Sequence, residues 1–106
     1  MQFEEYQTSS KETAIYPKGF VYPALGLSGE VGEVAEHIKK AIRDDGGKIS
    51  PERLGKLKKE LGDVLWYLSQ LSTELGLSLD EVAQANLDKL NRRKTEGTLQ
   101  GSGSDR

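Results

Sequence analysis

The feature that most constrains this chain is a leucine-rich stripe of helical period in its second half. Apolar residues recur there at three- and four-residue intervals over roughly 25 residues, at Leu54, Leu57, Leu61, Val64, Leu65, Leu68, Leu71 and Leu75. Ser50-Pro51 before the stripe is a typical helix start, with a capping hydroxyl and then a proline in the first turn. Gly76 predicts its end, so the stripe predicts one long amphipathic helix.

Three further helical segments are predicted, and no stretch gives a convincing strand pattern. The first runs from about Gln2 to Ala14, and the second from Pro23 or Ser28 to Arg43. Pro17, Gly19 and Pro23 predict a connector between them. A fourth helix opens with a capping-box match at Ser78–Glu81 and continues to about Lys94.

These segments predict an all-α fold, a four-to-five-helix bundle in one domain at residues 1–94. Residues 95–106 are predicted to form a Gly/Ser-rich C-terminal tail. A core this small contributes limited stability by itself, and oligomerisation can add to it. We therefore expect the chain to form an oligomer.

Composition narrows the class of protein further. The 106 residues include 15 basic and 17 acidic side chains, a net charge of -2 that argues against binding a nucleic-acid polymer. The absence of cysteine excludes disulfides and thiolate zinc sites. No signal-peptide pattern and no long apolar run is present, so we expect no membrane association and a cytoplasmic location.

Acidic residues follow a helical spacing on the second segment. Glu30, Glu33 and Glu36 stand at three-residue intervals. On a helical wheel Glu36 falls nearly opposite the apolar stripe, whereas Glu30 and Glu33 lie roughly 110° from its centre. Glu36 is therefore predicted to face solvent, while Glu30 and Glu33 border the core. His37 and Lys40 lie on the same flank.

A second acidic pair, Glu60 and Asp63, borders the leucine stripe of the third helix in the same way. If the two helices pack as an antiparallel hairpin, their apolar stripes meet and the four carboxylates share one rim. Such a group would repel itself unless cations neutralise it, and carboxylate oxygens suit Mg²⁺ or Mn²⁺. The alternative is that both pairs are solvated helix faces. The lack of a Glu-x-x-His pair argues against a di-iron bundle.

At these residues the chain resembles a known family. The segments "GLSGEVGEVAE" and "KELGDVLWYL" are similar to the MazG-like branch of the all-α nucleoside triphosphate pyrophosphohydrolases, whose signature is E-x-x-E followed by E-x-x-D. Here the two pairs are separated by 26 residues. "EYQ", "LSLDEVAQANLDKLNRRK" and the tail extend the resemblance over nearly the whole chain. Many relatives carry a second glutamate where this chain has Gly29.

The resemblance implies Mg²⁺-dependent cleavage of a nucleoside or deoxynucleoside triphosphate to the monophosphate and pyrophosphate. It implies Glu30, Glu33, Glu60 and Asp63 as metal ligands, with Mn²⁺ as a possible substitute. Glu33 is the candidate catalytic residue that orients or deprotonates the water. It also implies a homodimer or homotetramer with sites shared between chains. Among substrates, a deoxynucleotide such as dGTP is the expectation.

Further residues are candidates for substrate binding. Asn86 lies in the apolar stripe of the fourth helix with Lys89 at its border and Arg93 beyond, and Lys40 adds a cation beside the acids. A base could stack on an aromatic ring, with Tyr67, Tyr6, Tyr22 and Trp66 as candidates. Trp66 lies on the far side of its helix from Glu60, which predicts a subunit interface or a partner's pocket.

Two alternatives to this enzyme remain at the level of sequence. One is a non-catalytic helical interaction module that keeps the fold, and the other is a hydrolase of a different phosphorylated metabolite. The intact four-acid set favours catalysis over the module. Gly29 and Gly32 each cost a helix about 1 kcal/mol relative to alanine. The hypothesis is that these glycines admit a close neighbouring helix or ligand.

Overall fold

The computed structural model describes residues 1–98, which fold into four α-helices and one short 3-10 helix, with no strand in that range. The α-helices are α1 (Phe3–Ser10), α2 (Val21–Asp44), α3 (Pro51–Glu74) and α4 (Leu79–Glu96), and the 3-10 helix is Lys11–Thr13. The predicted all-α class is confirmed. None of the described helices is long and apolar enough to cross a membrane. The predicted tail lies outside the described residues from residue 99 onward, and the domain division stays a prediction.

Helices α3 and α4 begin at the serines that the sequence indicates. The hydroxyls of Ser50 and Ser78 each accept a hydrogen bond from the third backbone N–H that follows, at 3.1 Å in both cases. Gly76 follows α3 with a φ of 73°, a left-handed conformation that glycine adopts without steric cost. The predicted start and end of α3 are therefore confirmed.

Helices α1 and α2 differ from their predicted bounds. The segment predicted as one helix to Ala14 is α1 followed by a separate 3-10 turn. Helix α2 begins at Val21, two residues before the earlier of its two predicted starts, so Pro23 lies in its first turn and not in the connector. A first turn tolerates proline because the N–H groups there have no intrahelical acceptor to lose.

Helices α2 and α3 pack against each other as an antiparallel hairpin, the most extensive helix pair in the structure. Three contacts show that the two helices run in opposite directions. From one contact to the next, the residue number decreases along α2 while it increases along α3. These contacts are Asp45–Arg53, His37–Glu60 and Gly26–Tyr67. The hairpin on which the acid-site hypothesis depends is therefore present.

The apolar stripes of this hairpin are covered only in part: Leu57 of α3 is buried and Val34 of α2 is half-buried, but the centre of the α2 stripe stays exposed. Val31 and Ile38, at the centre of the α2 stripe, remain 52% and 40% exposed. The helices instead approach along the flank that carries Glu30 and the buried Ala41. A helical wheel locates an apolar stripe but does not say which flank meets a neighbour within the same chain.

An uncovered apolar surface results, which we call the hairpin apolar face. It consists of exposed aliphatic side chains from both helices: Val31, Ile38, Ile42, Leu54 and Leu61. Wheel geometry places both contributions on one side of the hairpin, opposite Asp63. The buried apolar side chains of the described residues are few, so the chain alone leaves much of its apolar stripe in water.

Helix α1 is held on the rest of the fold by buried polar side chains. Gln7 donates from Nε2 to Thr73 Oγ1 at 3.0 Å and to the Leu77 carbonyl at 2.9 Å. Its Oε1 accepts from the backbone N–H of Leu79 at 2.9 Å. Gln7 thus ties α1 to the end of α3 and to the first residue of α4.

A second polar contact lies one turn further along α1. The hydroxyls of Ser10 and Ser69 are 2.9 Å apart, and Gln70 Nε2 donates to Ser10 Oγ at 2.8 Å. Ser69 and Gln70 are almost completely buried. Because buried polar groups are costly when unpaired, this pairing makes the position of α1 specific.

Replacing Gln7 with alanine is expected to lower the free energy of unfolding by about 2–4 kcal/mol, because three buried or half-buried groups lose their partner. Thermal or urea unfolding followed by circular dichroism measures the change. The matched control is Thr8→Ala, at an exposed position of the same helix. Equal stability of the two variants would contradict the clamping role of Gln7.

Candidate metal centre

Three of the four predicted acids converge where α2 and α3 meet. Glu30 comes from α2, while Glu60 and Asp63 lie about one turn apart on α3 and point to the same side. One carboxylate oxygen from each residue lies within 4.8 Å of the others. Glu30 and Glu60 are half-buried and Asp63 is exposed. The hairpin therefore joins ligands from two helices into one group.

The electrostatics of this group show crowding of negative charge. The pKa of Glu30 is raised from 4.5 to about 7, first by a side-chain hydrogen bond with Glu60 and next by partial burial. The charges of Asp63, Glu60 and Glu33 raise it further. Without a cation, the acidic neighbours therefore favour the protonated form of Glu30, and a bound cation would reverse this preference.

Glu33 and Glu36 lie outside this group. Glu33 is exposed on the next turn of α2, close enough for its charge to affect Glu30. Glu36 is exposed and pairs with Lys39 at 2.8 Å, which confirms that it faces solvent. The three evenly spaced glutamates of α2 therefore have three different environments.

The raised pKa of Glu30 predicts how metal-free stability depends on pH. A carboxyl whose pKa is 4.5 when unfolded and about 7 when folded stabilises the fold fully below pH 4.5 and loses that contribution as pH rises through 7. We expect a loss on the order of 1 kcal/mol after allowance for solvent screening. Melting temperatures from pH 5 to 8 in a chelator measure it.

Glu30→Gln is the matched control for this titration, since it keeps the shape of the side chain and removes the ionisation. The melting temperature of the variant should fall much less between pH 5 and 8 than that of the wild-type chain. Mg²⁺ should remove the fall in the wild-type chain. An equal pH slope in the two proteins would contradict the assignment to Glu30.

His37 contacts the group from α2. Its Nε2 lies 3.9 Å from Glu60 Oε1, and its side chain is 17% exposed. Its Nδ1 is buried and has no hydrogen-bond partner among the described residues. Arg53 holds the backbone here by donating to the His37 carbonyl at 3.4 Å. His37 thus lies beside a ligand candidate without a direct hydrogen bond to it.

Two tyrosines, Tyr67 and Tyr6, border the acids. Burial, a hydrogen bond with Tyr22, and the charges of Glu30 and Asp63 raise the pKa of Tyr67. Burial and the charge of Asp63 raise the pKa of Tyr6. Tyr67 was predicted at the site, whereas Tyr6 was only one of several stacking candidates. The position of Tyr6 depends on how α1 packs against the other helices, and the only sequence signal for this is the "EYQ" resemblance.

Trp66 lies in the chain's own aromatic cluster. Its indole N–H donates to Thr13 Oγ1 at 2.8 Å, and its ring packs edge-on against Tyr16 and Tyr67 at 6.2 Å and 5.1 Å. Tyr16 in turn stacks on Tyr22 at 5.3 Å. The prediction of an interface or a partner's pocket for Trp66 missed these contacts, because the connector after α1 had no predicted position.

Two of the remaining substrate-binding candidates, Asn86 and Lys89, line a cleft that the acids do not line. This cleft runs along α4 and has a volume of about 560 Å³. Arg93 is buried rather than on a solvated face, and Lys40 is exposed on α2. The structure thus brings Tyr67 to the acids, whereas Asn86 and Lys89 line the cleft along α4.

The donor set of the acid group fits a hard divalent cation. Three carboxylates supply only oxygen ligands, the type that Mg²⁺ and Mn²⁺ prefer, and the chain contains no cysteine that would favour a softer metal. The raised pKa of Glu30, caused by its acidic neighbours and by partial burial, shows that positive charge is favoured at this position. Glu30, Glu60 and Asp63 are therefore the residues that could hold the ion.

Comparison with known proteins agrees with this geometry. The family model described as MazG nucleotide pyrophosphohydrolase domain matches residues 23–98, a span that contains both acidic pairs. The chain is 44% identical over 114 residues to the "Gene 37 protein" of Mycobacterium phage L5, with the whole of both chains covered. No solved structure matches the chain.

The helical hairpin, the acids that it gathers and the family match define a class, the nucleotide pyrophosphohydrolase domains. Within that class the chain belongs to the MazG family, as the resemblance of its acidic motifs predicted.

Proposed function

We propose that this protein is a metal-dependent enzyme that hydrolyses a nucleoside or deoxynucleoside triphosphate to the monophosphate and pyrophosphate. The observation that carries the proposal is the convergence of Glu30, Glu60 and Asp63, whose crowding raises the pKa of Glu30. A purely structural helix pair gains nothing from such repulsion, whereas a cation site requires it. Membership of the MazG family supports the same reaction class.

We assign Glu30, Glu60 and Asp63 as ligands of Mg²⁺, with Mn²⁺ as a substitute, and Glu33 as a fourth ligand on the next turn of α2. When bound, such an ion neutralises triphosphate charge and lowers the pKa of a water molecule. The exposed Glu33 carboxylate is free to accept a proton from the attacking water. In-line attack on the α-phosphorus then depends mainly on positioning.

The tyrosines are proposed to bind the substrate beside the acids. The rings of Tyr22 and Tyr67 lie 6.3 Å apart, and a base or sugar is proposed to pack on the parts of these rings that Tyr16 and Gly26 leave uncovered. The base preference stays open, with dGTP and other deoxynucleotides as the first substrates to test. Lys40 is proposed as a cation for the phosphates from the same helix as Glu30.

Assembly is part of the proposal. The hairpin apolar face is too apolar and too exposed to be left in water, and a second copy of the chain offers an identical surface. We propose a homodimer, or a homotetramer built from it, joined across this face. Asn86, Lys89 and Arg93 of α4 would then serve phosphates at a site shared between chains.

The test of the activity is release of pyrophosphate from purified protein with a panel of canonical and modified nucleoside triphosphates, with and without Mg²⁺. Monophosphate and pyrophosphate in equal amounts, dependent on the metal, are expected. Orthophosphate release, or turnover only of a non-nucleotide phosphate ester, would favour the hydrolase of another metabolite. No turnover of any substrate would favour the non-catalytic module. Because nucleoside triphosphates are abundant in the cytoplasm, we keep that location as a prediction.

A further inference from the structure

The ring of Tyr67 lies directly against the backbone of Gly26. A Cβ built on Gly26 would come within 3.0 Å of three ring atoms, Cε1, Cζ and Cδ1, closer than real Cβ atoms approach other atoms. Gly26 does not have a positive φ, so it is not needed for backbone conformation. Glycine is required at position 26 because any side chain there would overlap the Tyr67 ring.

The ring has little freedom to move away from an added side chain. Trp66 packs against it edge-on at a centroid distance of 5.1 Å, and Tyr22 lies at 6.3 Å on α2 itself. Trp66 is in turn tied to Thr13 by its indole N–H. A methyl group at position 26 would therefore displace the ring and the neighbours that hold it.

The position of this contact relates it to the acids. Gly26 lies one helical turn before Glu30 on α2, and Tyr67 lies one turn after Asp63 on α3, so the contact adjoins the acid group. We infer that Gly26 is a positioning residue: its missing side chain lets the Tyr67 ring rest on α2 and so holds the Tyr67 hydroxyl beside Glu30 and Asp63. The inference deepens the proposed function and rests on it for its effect on turnover.

The other helical glycines of α2 provide matched controls. Cβ atoms built on Gly29 and Gly32 meet nothing within 4 Å. The sequence hypothesis that these two glycines admit a neighbouring helix therefore finds no such neighbour in the described chain, and Gly26 is the glycine of close approach. Gly32→Ala should gain helix propensity without any steric cost.

The experiment compares Gly26→Ala with Gly32→Ala in the full chain. We expect Gly26→Ala to lower kcat/KM by about tenfold to a hundredfold, as for a misplaced substrate contact. It should also shift the fluorescence of Trp66, the chain's single tryptophan, and lower the melting temperature. Gly32→Ala should keep wild-type turnover and fluorescence. If the two variants behave alike, the inference is wrong.

A double-mutant cycle shows whether Gly26 acts through Tyr67. In a Tyr67→Ala background the overlap is gone, so adding Gly26→Ala should cause no further loss of turnover and no further shift in Trp66 fluorescence. Should Gly26→Ala alone unfold the chain, the double variant should recover helicity. An undiminished effect of Gly26→Ala in that background would overturn the inference.

The outcomes separate this inference from the proposed function. Absence of turnover by the wild-type chain on every nucleotide would reject the proposed function, while fluorescence and melting would still decide whether Gly26 positions Tyr67. An active wild-type chain whose turnover is unaffected by Gly26→Ala would reject the inference alone.

Discussion

Replacing Glu60 with glutamine is expected to lower turnover by roughly a hundredfold to a thousandfold while the fold is kept. Glu60 is half-buried, shares a hydrogen bond with Glu30 and lies 3.9 Å from His37, so it is central to the acid group. Glutamine keeps its shape but removes the negative charge that a divalent cation needs from its ligand.

The same variant is expected to be more stable than the wild-type chain when metal is absent at pH 8. Glu60 is the largest cause of the raised pKa of Glu30, so its neutral substitute relieves the repulsion. Loss of activity together with a higher melting temperature would exclude misfolding as the reason for the loss. Pyrophosphate release measures turnover, melting in a chelator measures metal-free stability, and calorimetric titration with Mn²⁺ measures metal binding.

Glu36→Gln is the control for this experiment, because Glu36 is exposed and pairs only with Lys39 among the described residues. It should retain wild-type turnover and Mn²⁺ binding. Retained activity in Glu60→Gln would refute the ligand assignment, and a loss of activity in Glu36→Gln would show that the test is not specific.

Replacing Ile38 with aspartate is expected to prevent the proposed assembly and to destabilise the chain. Ile38 lies at the centre of the hairpin apolar face and is 40% exposed in the single chain. Burying a charge in an apolar contact costs several kcal/mol, which is comparable to the whole stability of a small domain. Light scattering coupled to gel filtration gives the mass, and melting at several protein concentrations shows whether stability depends on assembly.

Ile42→Asp provides a second position on the same face, farther along α2 from Glu30, where only the interface should be affected. Ile15→Asp is the control, since Ile15 is 92% exposed in the connector and lies outside the hairpin apolar face. A wild-type chain that runs as a monomer, or an Ile38→Asp variant of unchanged mass, would contradict assembly through this face.

Capping residues and helical periodicity predicted much of the fold, because both act between residues that are close in sequence. The start of α3 at Ser50-Pro51 and its end before Gly76 follow from capping and backbone preferences that operate within one turn. The exposure of Glu36 followed from helical periodicity alone. Pro23 was assigned both to the connector and to a possible helix start, because a proline in a first helical turn and a proline in a connector look alike in sequence.

Features that depend on contacts between helices were predicted less completely. The wheel placed Glu30 beside the core, but it did not predict that the centre of the α2 stripe, at Val31 and Ile38, would stay exposed. Tyr6 reaches Asp63 only because Gln7 and Ser10 dock α1 through polar contacts with residues about 60 to 70 positions away. Gly26 could not be distinguished from Gly29 without knowing where the Tyr67 ring lies.

The sequence by itself determined the helical class, the bounds of α3, the family and the four acids from which a metal site could be built. Only the tertiary structure decided that Glu30, Glu60 and Asp63 meet, that Glu33 stays exposed, and that an apolar face remains uncovered. Helical period and capping are properties of neighbouring residues and can be read directly. Packing across the whole chain decides which flanks of two helices contact each other. The acids lie together because α2 and α3 contact along the flanks that carry them.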